Sequence, residues 1–270
     1  MISDIVDIQS SNALTSLYNL LEADVIIQKF LEFKPRRDNL VGSYAIVPTD
    51  LNDEIKVKKN YLSSRELEIL GKLDHSNRVE SFCAGRLAAK KTITLLNPDY
   101  LATEVSIIPG LLENPIILST PQLNLNVSIS HSQSFAFAAA TSSICPIGVD
   151  TEVISHENFK EYAELSTRAE ILLTMKVFQE DELSSATRLW TLKESLSKAI
   201  KCGFTIPLDL LEIISFDEEF TNRCVFKNFP QYRGISFHFK DNMFALCLPY
   251  SINVYDNFPS NSAILHNSNI

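Results

Sequence analysis

Between residues 105 and 152 the chain reads as strand-like runs in close succession: Val105–Ile108, Asn126–Ser132, Phe135–Thr141 and Ile147–Glu152, parted by turn residues. Helical spacing brackets them. One stretch, Ser76 to Leu96, ends before Asn97-Pro98, where the residue preceding proline disfavours helix. The other extends from Ser155 to Lys201. Shorter runs, Leu211–Phe216, Cys224–Lys227, Gly234–Lys240 and Phe244–Pro249, follow. Nearer the start, leucines and isoleucines at three- and four-residue spacing predict a helix over Asn12–Phe33. Ser43–Thr49 reads as a strand, and Ser63-Ser64-Arg65-Glu66 as a helix start with an acid three residues after its cap. Strand, helices, strands, helices, strands is the order of an α+β fold. It predicts two halves, residues 1–145 and 146–270, dividing near Cys145-Pro146.

Composition narrows the function. Apolar residues make up 45% and charged residues 21%, an ordinary globular balance. The 7 glycines form neither GxGxxG nor GxxxxGK[ST], so a glycine-rich nucleotide loop is not expected. A formal net charge of −9 repels nucleic acid, and an anionic ligand would need a locally basic pocket. The 5 cysteines are scattered, odd in number and without a CxxC, so reduced buried thiols of a cytoplasmic protein are expected. Met1–Asp7 carries Asp4 and Asp7 and no basic cluster, so no secretory signal is expected, and no apolar run predicts a membrane span.

Local patterns suggest chemistry. On a strand, Gly148-Val149-Asp150-Thr151-Glu152 puts Asp150 and Glu152 on one face, where paired carboxylates call for a cation or a proton. Oxygen donors of this kind suit Mg²⁺. On a helix, Trp190, Lys193, Glu194, Ser197, Lys198 and Lys201 share a face opposite Leu189, Leu192, Leu196 and Ile200. His131 closes the run Val127-Ser128-Ile129-Ser130-His131-Ser132, where an imidazole can meet a phosphate. Taken singly, these patterns also fit a solvated strand end, an amphipathic helix and a packed histidine. None of His75, His156, His238 and His266 shows metal spacing.

In order along the chain, Phe82-Cys-Ala-Gly85-Arg86-Leu-Ala-Ala89, Ser128-Ile-Ser-His131-Ser132, Gly148-Val-Asp150-Thr-Glu152 and Trp190-Thr-Leu-Lys193-Glu194-Ser-Leu-Ser-Lys198 resemble the Sfp-type 4'-phosphopantetheinyl transferases. Leu62-Ser-Ser, Arg78 and the FxAGRxAA stretch resemble the siderophore-associated branch, and the resemblance spans residues 62–210. It implies a cytoplasmic monomer of two similar α/β halves in pseudo-twofold arrangement, with the active site in the cleft between them. The reaction implied moves the phosphopantetheine arm of coenzyme A to a serine of an apo acyl-, peptidyl- or aryl-carrier protein, releasing 3',5'-ADP. It serves siderophore, nonribosomal peptide (antibiotic) or polyketide synthesis.

Carried over by motif, Asp150, Glu152 and Glu194 bind Mg²⁺ or Mn²⁺. Arg78, Arg86, Ser130 and His131 hold coenzyme A, with Asp150, Lys193 and Lys198 along its diphosphate. Glu194 is the candidate base, and Lys198 neutralises the leaving group. The chain departs from the family pattern at Ile108-Pro-Gly-Leu-Leu-Glu113-Asn-Pro115, which lacks a basic residue; Lys90 or Lys91 is a substitute. Arg168–Gln179, with Leu172, Leu173, Met175 and Phe178, is a candidate carrier-docking surface. An inactive carrier-binding module and another Mg²⁺-dependent nucleotide phosphoryl transfer remain as alternatives.

Overall fold

The computed structural model describes residues 42–51, 53–111, 113–217 and 222–252, and 27–31 as backbone. In chain order these form β1 (Ile27–Leu31), β2 (Gly42–Pro48), α1 (Glu54–Tyr61), α2 (Ser64–Leu70), α3 (Ser76–Leu96), β3 (Ser106–Pro109) and β4 (Pro115–Leu118). There follow β5 (Leu125–His131), β6 (Phe135–Ser142), β7 (Gly148–Val153), α4 (His156–Glu164), α5 (Arg168–Phe178) and α6 (Glu182–Ala199). Four strands end the series: β8 (Ile213–Phe216), β9 (Arg223–Phe226), β10 (Tyr232–Phe239) and β11 (Asn242–Pro249). The class is mixed helix and sheet, as expected.

One antiparallel sheet has the order β1-β2-β6-β5 and another β7-β11-β10-β9-β8, while β3 and β4 pair separately. Alternation along the strands divides the core. Ala45, Val47, Ala136, Ala138 and Ala140 face α3, and small side chains let that helix settle close. Tyr44, Ile46, Phe135 and Phe137 face the other way, into a shared core with Phe237, Phe239, Phe244 and Leu246 of the second sheet. Phe137 meets Phe244 edge-on at 5.5 Å and Phe237 at 6.1 Å. The opposite face of the second sheet, through Cys224, Phe226, Ala245 and Cys247, packs on Leu189, Leu192 and Leu196 of α6.

One buried arrangement occurs twice. Ser63 and Glu66 form a capping box at the start of α2, and Glu66 also accepts from Ile107 N–H at 3.0 Å and pairs with Lys90 at 2.9 Å. Thr167 and Glu170 box the start of α5, and Glu170 accepts from Ile213 N–H at 2.9 Å and pairs with Lys193 at 2.9 Å. Each glutamate therefore ties a helix start, a strand and the long helix on its sheet together.

Three expectations change. Residues 27–31 pair with β2 as a strand rather than ending a helix, because the free edge of β2 offers a ladder that outweighs local spacing; the rest of Asn12–Phe33 lies outside the described residues. The predicted loop before Pro115 is a β3–β4 hairpin. The region 155–201 is three helices, divided where Thr167 and Asp181 cap new starts.

Candidate active site

Gly148 sets the geometry. A Cβ there would lie 1.9 Å from Ser195 O and 2.4 Å from Ala199 N, so only glycine lets the start of β7 lie against the backbone of α6. Two residues on, Asp150 then faces the same helix and meets Lys198. The edge strand β5 runs alongside. Ser128 Oγ accepts from Val149 N–H at 3.0 Å, Ser130 Oγ donates to Asp150 Oδ1 at 2.7 Å, and Ser132 Oγ donates to Asn242 Oδ1 at 2.8 Å. Alternate serines along β5 and just past its end thus stitch it to β7 and β11.

Asp150 is 2% exposed. Its Oδ1 accepts from Lys198 Nζ at 2.7 Å as well as from Ser130, while Lys198 also reaches Ser130 Oγ at 3.0 Å. Its Oδ2 is buried with no hydrogen-bond partner among the described residues. A carboxylate oxygen left in that state costs stability unless something occupies it. Glu152 accepts from the Trp190 indole N–H at 3.3 Å. Desolvation first, then the charge of Asp150, pushes its carboxyl up to about 7. Glu194 is likewise pushed up to about 7 by desolvation, with Lys198 opposing and Asp150 and Glu152 adding to the rise. Desolvation disfavours the Lys198 ammonium, yet Asp150 and Glu194 outweigh it and hold its pKa above the ordinary value. Its side chain is 30% exposed, open to a ligand.

His131 lies at the open end of β5. Its pKa is lowered by desolvation first and then by Lys198, with Arg86 adding and Asp150 opposing. Arg86 stacks over Phe82 at 4.4 Å and faces Glu66 Oε1 at 3.4 Å. Arg78 is exposed in the first turn of α3, about two turns before Arg86. The structure therefore brings together Ser130, His131, Asp150, Glu152, Glu194 and Lys198, with Arg86 alongside. A cavity of about 210 Å³ opens beside them, lined by Glu113, Asn126, Ser128, Glu194, Lys198 and Lys201, among others.

Lys193 is not brought there. It is 1% exposed, pairs with Glu170 and donates to Leu165 O at 3.0 Å. One residue from Glu194 on a helix is a rotation of about 100°, so the two point to different neighbours. Lys90 cannot replace the missing basic residue of the hairpin: it is fully buried on Glu66 and the carbonyls of Ala102 and Val105. Lys91 lies over the Tyr61 ring at 4.9 Å. In the proposed docking stretch Leu172 is half exposed, whereas Phe178 packs edge-on against Phe216 at 5.0 Å beneath Arg188. Sequence reading named Ser128 within its motif but gave it no role, although its alternation with Ser130 was the signal.

A hard divalent cation fits this donor set in part. Among the described residues no group of three or more His, Cys, Asp and Glu side chains is already disposed around a metal position. The orphaned Asp150 Oδ2, with the buried carboxyls of Glu152 and Glu194 whose ionisation desolvation opposes, is what such a cation would satisfy. Among the described residues no helix is long and apolar enough to cross a membrane.

Residues 146–249 match the model of the 4'-phosphopantetheinyl transferase superfamily. The matched stretch holds Asp150, Glu152, Glu194 and Lys198, and it supports an enzyme, a phosphopantetheinyl transferase. No curated protein matches the chain. Among solved structures, a holo-(acyl-carrier-protein) synthase from Bacillus anthracis str. Ames in complex with CoA (3',5'-ADP) is similar at 22% identity. The alignment covers 37% of this chain and 93% of that one, with a TM-score of 0.34, a slight likeness.

Proposed function

We propose that this protein transfers the 4'-phosphopantetheine arm of coenzyme A to a serine hydroxyl of an apo acyl-, peptidyl- or aryl-carrier protein, with Mg²⁺ and release of 3',5'-ADP. The observation that carries the reading is Asp150, buried with one oxygen held by Lys198 and Ser130 and the other without a partner, inside the matched domain. Asp150, Glu152 and Glu194 would hold the metal, which when bound neutralises charge on the diphosphate.

In the transfer, the carrier serine oxygen forms a bond to the phosphorus bearing pantetheine, and the bond from that phosphorus to the bridging oxygen breaks. Glu194 accepts the serine proton, directly or through a water. Lys198 faces the departing oxygen and stabilises its charge as 3',5'-ADP leaves. His131, Arg86 and Arg78 are the proposed contacts for the phosphates of the nucleotide. Lys193 holds α6 to α5 rather than touching the ligand.

The finer reading is an Sfp-type enzyme of secondary metabolism, siderophore synthesis in particular, acting as a cytoplasmic monomer. Its halves, 1–145 and 146–270, are related by a pseudo-twofold axis with the site between them. The paired Glu66–Lys90 and Glu170–Lys193 networks support that relation. Product analysis tests the reaction. Release of 3',5'-ADP from coenzyme A that requires the carrier, and stops when the carrier's acceptor serine is alanine, supports transfer. Release without a carrier means hydrolysis and overturns it.

A further inference from the structure

The two buried networks that tie a helix start, a strand and a long helix together differ in one respect. In the second, Glu170 faces a single cation, Lys193, and the residue one turn earlier on α6 is Leu189, a fully buried core side chain. In the first, Glu66 faces two cations, Lys90 at 2.9 Å and Arg86 at 3.4 Å, because the residue one turn before Lys90 on α3 is an arginine. A further turn back, the second network has Ser185, bonded to Glu180, and the first has Phe82, whose ring centroid lies 4.4 Å from the Arg86 guanidinium carbon. The structural task therefore needs neither the arginine nor the ring. With Lys90 already neutralising Glu66, Arg86 gives the first network one positive charge in surplus, on a side chain only 14% exposed. Its Nε is buried with no hydrogen bond among the described residues. Desolvation, the largest influence, lowers the pKa of both cations although Glu66 opposes it. A surplus cation held in this way destabilises the fold unless an anion meets it.

The arginine stands beside a strand of the candidate site. A Cβ on Gly85 would come within 3.2 Å of Ile129 Cγ2, so α3 lies close against β5, the strand of Ser130 and His131, at the residue before Arg86. We propose that Phe82 and Glu66 are positioning residues for Arg86: with the ring beneath the guanidinium and the carboxylate at its Nε edge, they hold the Nη fork for a phosphate of the coenzyme A nucleotide. The inference rests on the coenzyme A reading proposed above. An arginine free in water loses rotamer freedom when it grips a phosphate, and one clamped on two sides has lost it during folding.

The probe is 3',5'-ADP, the nucleotide that the proposed reaction releases, titrated by calorimetry with Mg²⁺ present and with melting temperatures measured alongside. Arg86→Leu gives the first network the leucine of the second, and is expected to weaken binding roughly tenfold or more. Phe82→Leu keeps an apolar side chain but loses the ring face, and should weaken binding about fivefold. In the Arg86→Leu background the same change should make no further difference, since a residue that acts through Arg86 has nothing left to act on. Glu66→Asp keeps the charge but draws the carboxylate back from Nε, and should also weaken binding. Glu170→Asp is its control: a similar fall in melting temperature with the affinity unchanged. Phe82→Leu decides the matter if Glu66→Asp does not fold. Wild-type affinity in the folded Arg86→Leu, Phe82→Leu or Glu66→Asp protein overturns the positioning role, as does an equal loss from Phe82→Leu in both backgrounds; the coenzyme A reading then stands. A folded wild type that does not bind 3',5'-ADP overturns both.

Discussion

At Asp150 one carboxylate oxygen is held by two donors and the other by none, and the proposed chemistry follows from that division. Oδ1 anchors Lys198 and Ser130, while Oδ2 has no hydrogen-bond partner among the described residues, the place the proposed function gives to a cation. Asp150→Asn keeps the shape but removes the charge, so kcat/KM with an apo carrier is expected to fall by about 100-fold or more. Lys198 is part-exposed and can turn to water, so the melting temperature should move little. Glu152 and Glu194 give a pH signature. Their carboxyls lie near 7 in the fold against an ordinary 4.5, so the folded, metal-free protein retains protons that the unfolded chain releases. The stability they contribute is complete below 4.5 and is lost as pH rises through about 7. Thermal unfolding in EDTA should show the melting temperature falling between about pH 5 and pH 8, and a Glu152→Gln/Glu194→Gln variant should flatten the fall. Mg²⁺ should raise the melting temperature more at the upper end, because the ionised carboxylates bind it.

At the scale of elements, α6 shows what could be read in the sequence and what could not. Its existence, its core stripe of Leu189, Leu192 and Leu196, and the pairing of Asp150 with Glu152 on β7 follow from periodicity alone. The partners of its polar residues do not. The helix is covered on several sides, by β7, β11, α4 and α5, so a face wide enough to hold both Lys193 and Lys198 meets two different surroundings. Long-range pairing decided both cases: Glu170 claims Lys193, and Asp150 claims Lys198. The same limit explains β1, whose strand state depends on the edge offered by β2 rather than on its own spacing. If Lys193 serves the fold, Lys193→Met strands Glu170 without its counter-charge and should cost about 3–5 kcal/mol of unfolding free energy. At a temperature where it remains folded, KM for coenzyme A should be unchanged. Gly148→Ala forces a methyl into Ser195 O, and should destabilise by about 1–3 kcal/mol or more while displacing Asp150 from Lys198.

At the scale of the molecule, the two sheets share an aromatic core and a seam of serines, so neither can unfold without exposing the other. Phe244, packed against Phe135, Phe137 and Phe237, is the centre of that core. Phe244→Ala is expected to cost about 3–5 kcal/mol, seen as a lower urea midpoint in a single transition reported alike by Trp190 emission and far-UV circular dichroism. A second transition would contradict the shared core. The same joining is what sets β5, with Ser130 and His131, beside the acidic strand and the lysine of α6. The most direct test of the account is the intact mass of a purified apo peptidyl-carrier protein after incubation with this protein, coenzyme A and Mg²⁺, with EDTA as control. A gain of one phosphopantetheine, abolished by EDTA and by Asp150→Asn, is the predicted result. No gain across peptidyl, aryl and fatty-acid carriers, with the protein folded, would contradict it.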